Sequence, residues 1–347
     1  MDLPVLWFGV AVLAWVLFFV LEGFDFGVGF LGPLLGRTDA ERGAAVRTVG
    51  PVWDGNEVWL VAAVGVTFAA FPDWYAALLS GLYLPMVAVL LLLAVRGVAL
   101  EFRGKHDSPR WHARCDAFLA GSSLLLAATW GAVLGVLVDG LALAADGEVH
   151  ARAGALGGLT RSLEPMVSPW AVLGGLAGVL LATVHGATFL SLRTTGVLRV
   201  RARRLAVATA PALATSALAV LLAAGQPAVA AAAALLAVTA VAAWRRAEAL
   251  AFATSSLAVA VAVVAVFTAH LPVLLPSTLS AAGDVTLRGA AASQGALELI
   301  SLVGVVVLPG VVAYQLWSYW VFRGRVASGH GPQRERTGRP QPARAGR

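Results

Sequence analysis

Long apolar stretches recur along the chain, separated by short polar segments. Nine of them approach the length of a membrane helix, about 17 to 25 residues, and are rich in Leu, Val and Ala. They lie at residues 5–31, 56–71, 76–100, 117–138, 169–191, 205–224, 228–243, 250–269 and 297–322. The sequence lacks the alternating pattern of a membrane β-barrel. The pattern therefore predicts an all-α integral membrane protein with nine transmembrane helices.

Two boundaries in this pattern are set by composition. The tract 205–243 is almost continuous Ala, Val and Leu and is interrupted only by Gly225, Gln226 and Pro227, so we predict a tight hairpin turn there. After residue 323 the sequence changes abruptly to Gly, Pro, Arg and Gln, which is typical of disorder. The predicted organisation is a nine-helix transmembrane domain, 1–323, followed by a disordered basic cytoplasmic tail, 324–347.

The distribution of basic residues predicts the orientation, because cytoplasmic loops retain Lys and Arg. If the N-terminus lies outside, all 25 Lys and Arg residues except Arg152, Arg161 and Arg288 belong to the cytoplasmic loops and tail. We therefore predict an external N-terminus and a cytoplasmic C-terminus. The net charge of +6 then reflects topology and requires no nucleic-acid partner.

Composition and motifs exclude several other classes. Hydrophobic residues make up 59% of the chain and charged residues 13%, about half the charged fraction of a soluble domain. The start, MDLPVLWFGV, lacks a basic region and a cleavage site, so we expect the first helix to be retained. The single cysteine, Cys115, allows neither a disulfide framework nor a Cys-x-x-Cys-His haem attachment site.

Two histidines fall on predicted helices at different depths. His185 lies toward the cytoplasmic half of the fifth helix and His270 at the outer end of the eighth. An axial haem pair would need both at one depth, so we expect hydrogen-bonded interhelical or helix-end histidines. No metal or cofactor ligand is predicted in this chain.

An acidic pair lies inside the first predicted helix. Glu22 and Asp25 are three residues apart and share one helix face. Ionised acids in hydrocarbon cost several kcal/mol and usually serve a function, which favours proton transfer over a purely structural polar pair. The spacing Gly23-x-x-x-Gly27 would let another helix backbone approach closely, and ordinary helix packing explains it at least as well as a functional role.

A second acidic pair lies in GPVWDGNEVWL, residues 50–60. A structural interpretation makes Asp54 the N-cap and Glu57 the third residue of the second helix, a capping box, with Trp53 and Trp59 in the interfacial aromatic belt. This does not explain the acids of the first helix. Since the two helices are antiparallel, all four carboxylates should converge at one depth, as in a proton relay.

Charged residues near other helix ends have simpler explanations. Arg96 and Glu101 lie at the cytoplasmic end of the third helix, where an intramolecular ion pair or snorkelling is expected. Glu298, at the outer start of the ninth helix, is expected to pair with Arg288 or to face the headgroups.

Several segments resemble subunit II of the bacterial cytochrome bd quinol oxidases, in order from residue 5 to about 325. They are GFDFGVGFL (23–31), GPVWDGNEVWL (50–60), AAFPDWYAALLSGLYLPM (69–86), GATFLSLRTTGVL (186–198) and LPSTLSAAGDVTLRGAAASQGALEL (275–299). The resemblance implies a multi-pass protein of the bacterial cell membrane, surrounded by lipids. It also implies a heterodimer with a haem-bearing subunit I.

The resemblance further implies an activity. Such oxidases oxidise membrane quinol, reduce dioxygen to water with cytoplasmic protons and so generate a proton motive force. Two b-type haems and one d-type haem belong to subunit I, and this subunit ligates none and is inactive alone. The type of quinone, a structural quinone in this subunit and small accessory subunits are left open by the sequence.

The family's proton route also transfers to particular positions. By its motif, Asp54 matches an acid of that route, Asp25 matches a second polar position near it, and Trp53 would brace Asp54. Glu57 and Glu22 are candidates for the same route. Two other functions remain as alternatives: a proton-coupled secondary transporter and a purely structural membrane partner. The odd helix count and the lack of matched, interrupted helices in two halves disfavour a transporter.

Overall fold

The computed structural model of the chain describes residues 2–150, 157–224 and 227–327. Its α-helices are α1 (Leu3–Leu35), α2 (Asp39–Val49), α3 (Trp53–Ala70), α4 (Pro72–Gly81), α5 (Tyr83–Phe102), α6 (Pro109–Asp139), α7 (Gly157–Leu163), α8 (Pro169–Arg193), α9 (Gly196–Ala224), α10 (Pro227–Trp244), α11 (Glu248–Thr268) and α12 (Gln294–Val321). Its two short strands are β1 (Val273–Leu275) and β2 (Val285–Thr286).

The predicted all-α membrane class is confirmed. In the described ranges six helices are long and apolar enough to cross a membrane: α1, α5, α6, α8, α11 and α12. The other predicted stretches are helical as α3, α9 and α10, but nine spans and the orientation remain predictions. Residues 225–226 of the predicted turn, Arg152 and tail residues 328–347 lie outside the described residues.

One predicted helix is wrong in its extent. The stretch 76–100 is divided between α4 and α5, which meet at Leu82. Pro85 has no N–H to donate to the carbonyl of Gly81, four residues earlier, so an unbroken helix loses that hydrogen bond. The break turns the chain from a short helix into the long membrane helix α5.

Helix α1 lies at the centre of the bundle. It packs against α3, α6, α8 and α11, and its aromatic side chains form much of the core. Trp15 and Phe18 of α1 contact Trp130 of α6, with ring centres 5.5 and 5.1 Å apart. The acids of α1 are therefore placed inside the bundle, away from its lipid-facing surface.

Helices α1 and α8 approach so closely that only glycine fits at their crossing. A Cβ on Gly27 would overlap the carbonyl oxygen of Ala182 and lie 2.8 Å from the Cα of Gly186. Small residues allow such contacts between membrane helices. Of the predicted pair, Gly27 makes the close approach, whereas a Cβ on Gly23 would lie 3.6 Å from the His185 ring, an ordinary contact.

We expect Gly27→Ala to destabilise the protein by about 1–3 kcal/mol, the usual range for overpacking a tight interface. Gly9→Ala, in the same helix, is the matched control because, apart from the backbone of α1 itself, no atom of the described residues lies within 4 Å of its added methyl group. Thermal unfolding in detergent micelles measures both. Equal unfolding temperatures for the two variants would contradict the close approach of α1 and α8.

Helix α2 is held by ionic contacts at the end of the bundle where α1 and α5 finish, which we call the basic end. Arg103 donates hydrogen bonds of 2.6 Å to Asp116 of α6 and to Asp39 of α2. Glu41 of α2 accepts a hydrogen bond of 2.7 Å from Arg201 of α9. These contacts connect the polar segment before α3 to the rest of the bundle.

The stability given by Glu41 should depend on pH. Hydrogen bonds from the backbone N–H of Arg37 and from Arg201 hold the pKa of Glu41 below its ordinary value, because they stabilise the ionised carboxylate. Its contribution is then present above the unfolded value of about 4.3 and is lost as the pH falls through the lower folded value. Unfolding temperatures of wild type and Glu41→Gln should differ at neutral pH and converge in acid. Glu148→Gln, which replaces an exposed acid, is the control. Its unfolding temperature should match that of the wild type both at neutral pH and in acid.

At the opposite end of the bundle, the loop between α6 and α8 packs on the loop between α11 and α12. β1 and β2 pair antiparallel, with Val273 opposite Thr286 and Leu275 opposite Val285. Leu141 of the first loop donates its N–H to the carbonyl of Pro276 in the second, at 3.1 Å. The described parts of the loops therefore form a joint cover of this end.

Candidate functional site

A buried ionic cluster joins α1 to α5. Glu22, Asp25 and Arg96 are each at most 1% exposed. Nη1 of Arg96 lies 3.1 Å from Oε2 of Glu22, and Nη2 lies 3.6 Å from Oδ2 of Asp25. These contacts are ion pairs whose N–H bonds are poorly aligned with the carboxylates. The guanidinium also lies 5.2 Å from the centre of the Phe26 ring, within cation–π range.

The charges of this cluster do not balance when both acids are ionised. Two carboxylates share one guanidinium, and neither oxygen of Glu22 accepts a hydrogen bond from the residues described. An uncompensated charge is costly in a site of low dielectric constant. The cluster becomes neutral when the carboxylate pair binds one proton.

Asn56 links this cluster to α12. Its Nδ2 donates a hydrogen bond of 2.8 Å to Oδ2 of Asp25. Its Oδ1 accepts hydrogen bonds from Nε2 of Gln315 at 3.0 Å and from the Tyr319 hydroxyl at 2.8 Å. An ionised Asp25 carboxylate can only accept hydrogen bonds, so the amide N–H of Asn56 faces Asp25 and its Oδ1 faces α12.

The capping box predicted at the start of α3 is wrong. The first helical hydrogen bond runs from the N–H of Asn56 to the carbonyl of Val52. Val52 is therefore the N-cap, with no side-chain hydrogen bond, and Asp54 and Glu57 are the second and fifth residues of the helix. The helix begins before Asp54, so its carboxylate does no capping.

The four candidate acids form a series from exposed to buried. Asp54 is exposed and Glu57 is half-buried. Glu57 lies within electrostatic range of both Asp54 and Arg96, and also of the acids of α1. The structure thus joins Glu22 and Asp25 through Arg96 and brings Glu57 near them, but it does not bring Asp54 into contact with them.

Trp53 borders the same site without bonding to Asp54. Its ring occupies the space beside Gly97 of α5, where an added Cβ would lie 3.2 Å from the ring. Among the described contacts, the indole makes no hydrogen bond to the Asp54 carboxylate. Trp53 therefore packs against Gly97, the residue next to Arg96. No described contact between Trp53 and the Asp54 carboxylate supports the predicted bracing.

Arg96 forms an intramolecular ion pair, as one of its two predicted alternatives had it, but with residues distant in sequence. Glu298 does not pair with Arg288 and is exposed, which agrees with its second alternative. Arg96 pairs with the acids of α1, whereas Glu101 is exposed. Arg288 forms a 2.5 Å ion pair with Asp2 rather than with Glu298. In both cases the arginine pairs with a carboxylate distant in sequence that helix packing brings close.

Sequence reasoning missed four residues of the site: Arg96, Asn56, Gln315 and Tyr319. A signal for Arg96 was present, because a lone cation inside an apolar helix requires a counter-charge. Gln315 and Tyr319 also stand four apart in an apolar helix and so share a face. Nothing in the sequence identified the partner of either helix.

The side chains of His185 and His270 lie within hydrogen-bond distance of other groups of the chain. Nδ1 of His185 lies 2.9 Å from Oγ of Ser255, and its Nε2 lies 2.9 Å from the carbonyl oxygen of Val20. Nε2 of His270 lies 3.0 Å from the carbonyl oxygen of Val138. The predicted hydrogen-bonded roles are therefore confirmed. Across the described ranges, no group of three or more His, Cys, Asp or Glu residues could hold a metal ion.

Comparison with known proteins gives consistent results. Residues 3–322 match the family described as cytochrome bd terminal oxidase subunit II. The cytochrome bd ubiquinol oxidase subunit 2 of Bacillus subtilis is 36% identical, over 93% of this chain and 96% of that protein. The cytochrome bd-I ubiquinol oxidase subunit 2 of Escherichia coli K12 is 30% identical, over 92% and 94%. The fold is similar to a chain of the bd oxidase from Geobacillus thermodenitrificans, with a TM-score of 0.68, 20% identity and coverage of 92% and 99%.

Proposed function

Because the chain belongs to the family of subunit II of the cytochrome bd terminal oxidases, we propose that it pairs with a haem-bearing subunit I that oxidises membrane quinol and reduces dioxygen to water. The chain is a multi-pass protein of the bacterial membrane and a component of a quinol oxidase. Its family match over almost the whole sequence carries the proposal. Two b-type haems and one d-type haem would lie in subunit I, and none in this chain.

The packing of α12 supports contact with a partner subunit. Only 6% of its apolar stretch is buried inside the chain, against 33–61% in the other five candidate spans. Its main contacts within the described chain are with α1 and α3. A helix held so weakly by its own chain has a broad face for another subunit, although lipid would also suit an apolar face.

The arrangement of acids supports a role in proton uptake. Asp54 lies exposed at the start of α3, Glu57 follows one turn later, and Glu22 and Asp25 form the buried end with Arg96. In the proposed topology, with nine spans and an external N-terminus, the basic end faces the cytoplasm. Protons would then enter at Asp54 and pass inward, and their consumption would contribute to the proton motive force.

Experiments can distinguish this proposal from the two alternatives, a proton-coupled transporter and a purely structural subunit. A proton-coupled transporter would also use buried acids, but it would purify without haem. A purely structural subunit would purify with haem and would tolerate loss of every candidate acid.

We expect the purified assembly to show haem absorption bands and quinol-dependent oxygen consumption, and the chain expressed alone to show neither. Replacing His185 with alanine should leave the haem spectrum of the assembly unchanged, because both ring nitrogens are already engaged. Absorption spectroscopy and an oxygen electrode check these outcomes. Haem bands in the isolated chain that disappear in His185→Ala or His270→Ala would overturn the assignment of all haems to subunit I.

A further inference from the structure

A basic cleft lies at the basic end of the bundle, between the start of α9 and the end of α10. Its volume is about 300 Å³, and it is lined by Arg203, Arg204, Val207, Trp244 and Arg246. Three of the five lining residues are arginines. The proposed oxidase function makes no use of this cleft.

The arginines of the cleft differ from the other arginines of α9. Arg199 donates two hydrogen bonds of 2.8 Å to Glu248, and Arg201 bonds to Glu41. Within the described part of the chain, the guanidinium groups lining the cleft form no ion pair or side-chain hydrogen bond. Three neighbouring cations without a counter-charge repel one another, so an anion between them would relieve this repulsion.

Arg246, one of the residues that line the cleft, has a strained backbone conformation. Arg246 has φ 62°, a left-handed conformation that side chains other than glycine adopt at a cost. The N–H of Ala247 bonds to the carbonyl of Ala242 and that of Arg246 to Ala243, at 2.9 and 3.2 Å. These two bonds form a Schellman motif, in which this position is usually glycine. The chain thus carries an arginine where glycine would fold more easily.

An apolar surface leads from the cleft along α10 into the membrane region. Trp244 is 70% exposed, Val241 49% and Val238 45%. Since these residues are three positions apart, they follow one side of the helix. Exposed tryptophan is typical of the membrane–water interface, so the cleft lies at headgroup level with an apolar track below it.

We propose that this cleft binds the phosphate headgroup of an anionic phospholipid. The guanidinium groups of Arg203, Arg204 and Arg246 hold the phosphate oxygens, for which arginine is well suited by charge and geometry. Trp244 packs beside the glycerol region, and one acyl chain lies along Val241 and Val238. Basic pockets between membrane helices commonly take such headgroups. The site is independent of the proposed proton route.

The test uses the full-length chain in its purified native assembly, stripped of lipid and titrated with phosphatidylglycerol while bound lipid is counted by native mass spectrometry. Each arginine that contacts the headgroup should contribute about a fivefold factor in lipid affinity, the size of the contribution of a basic residue close to anionic headgroups. Arg203→Gln with Arg204→Gln should therefore weaken binding by about thirtyfold. Arg245→Gln is the matched control, because Arg245 is exposed in the same turn but does not line the cleft.

Arg246→Gly separates binding from folding. Glycine relieves the backbone strain, so the lipid-free unfolding temperature should stay the same or rise while phosphatidylglycerol affinity falls by about fivefold. Unchanged affinity in both cleft variants would overturn the site. Competition by millimolar inorganic phosphate would identify a free-anion site and overturn the lipid assignment, as would equal binding of zwitterionic phosphatidylcholine.

Discussion

Replacing Asp54 with asparagine is expected to lower quinol-dependent oxygen consumption by at least about tenfold, a cautious bound below the roughly 10²–10⁴-fold that positioned acid–base groups contribute. Asparagine keeps the size and polarity of the side chain but cannot exchange a proton. Loss of a helix cap cannot account for the effect of this variant, because Val52 and not Asp54 is the N-cap of α3. Oxygen uptake at saturating quinol, in an assembly with an unchanged haem spectrum, is the measurement.

Asp73→Asn is the matched control for this variant. Asp73 is also an exposed acid at the second position of a helix, α4, so both changes remove a helix N-terminal charge interaction of about 0.3–1 kcal/mol. Only the Asp54 change should slow turnover. The double variant Asp25→Asn, Asp54→Asn excludes a bypass through Asp25. Wild-type rates in that double variant would show that Asp54 is simply an exposed acid at a helix start.

Arg96→Met is expected to destabilise the protein by about 3–5 kcal/mol, because it leaves two buried carboxylates without their cation. Methionine fills part of the arginine volume, so the loss of charge dominates the effect. Equilibrium unfolding in mixed detergent micelles measures it. Arg110→Met is the control: Arg110 is exposed at the start of α6 and its loss should change stability by less than about 0.5 kcal/mol.

A rescue experiment distinguishes lost charge pairing from lost packing. Adding Glu22→Gln and Asp25→Asn to Arg96→Met removes the uncompensated charges and should recover much of the stability. Wild-type stability in Arg96→Met alone, or no recovery in the triple variant, would contradict an ionic role for the cluster. The triple variant should remain impaired in oxygen consumption, since it lacks both buried acids of the proposed route.

The elements were predictable where one sequence pattern determines them. A long apolar stretch can satisfy its backbone hydrogen bonds in a membrane only as a helix, so the positions of α1, α6, α8, α11 and α12 followed from hydropathy. The family could also be predicted from the sequence, because the WDGNEVW segment and the two acids of the first helix are local motifs. The division at Leu82 was missed because the run around it stays apolar through a proline that breaks the helix.

The sequence by itself determined the membrane class, the family and the acids Glu22, Asp25, Asp54 and Glu57 as candidates, because each depends on residue type and local spacing. Only the tertiary structure decided which charges meet. The sequence predicted an intramolecular ion pair or snorkelling for Arg96 without identifying a partner, and the packing of α5 against α1 directs Arg96 to Glu22 and Asp25. A buried charge takes the partner that helix packing brings within about 4 Å, and the crossing that sets that distance depends on side chains from several helices together.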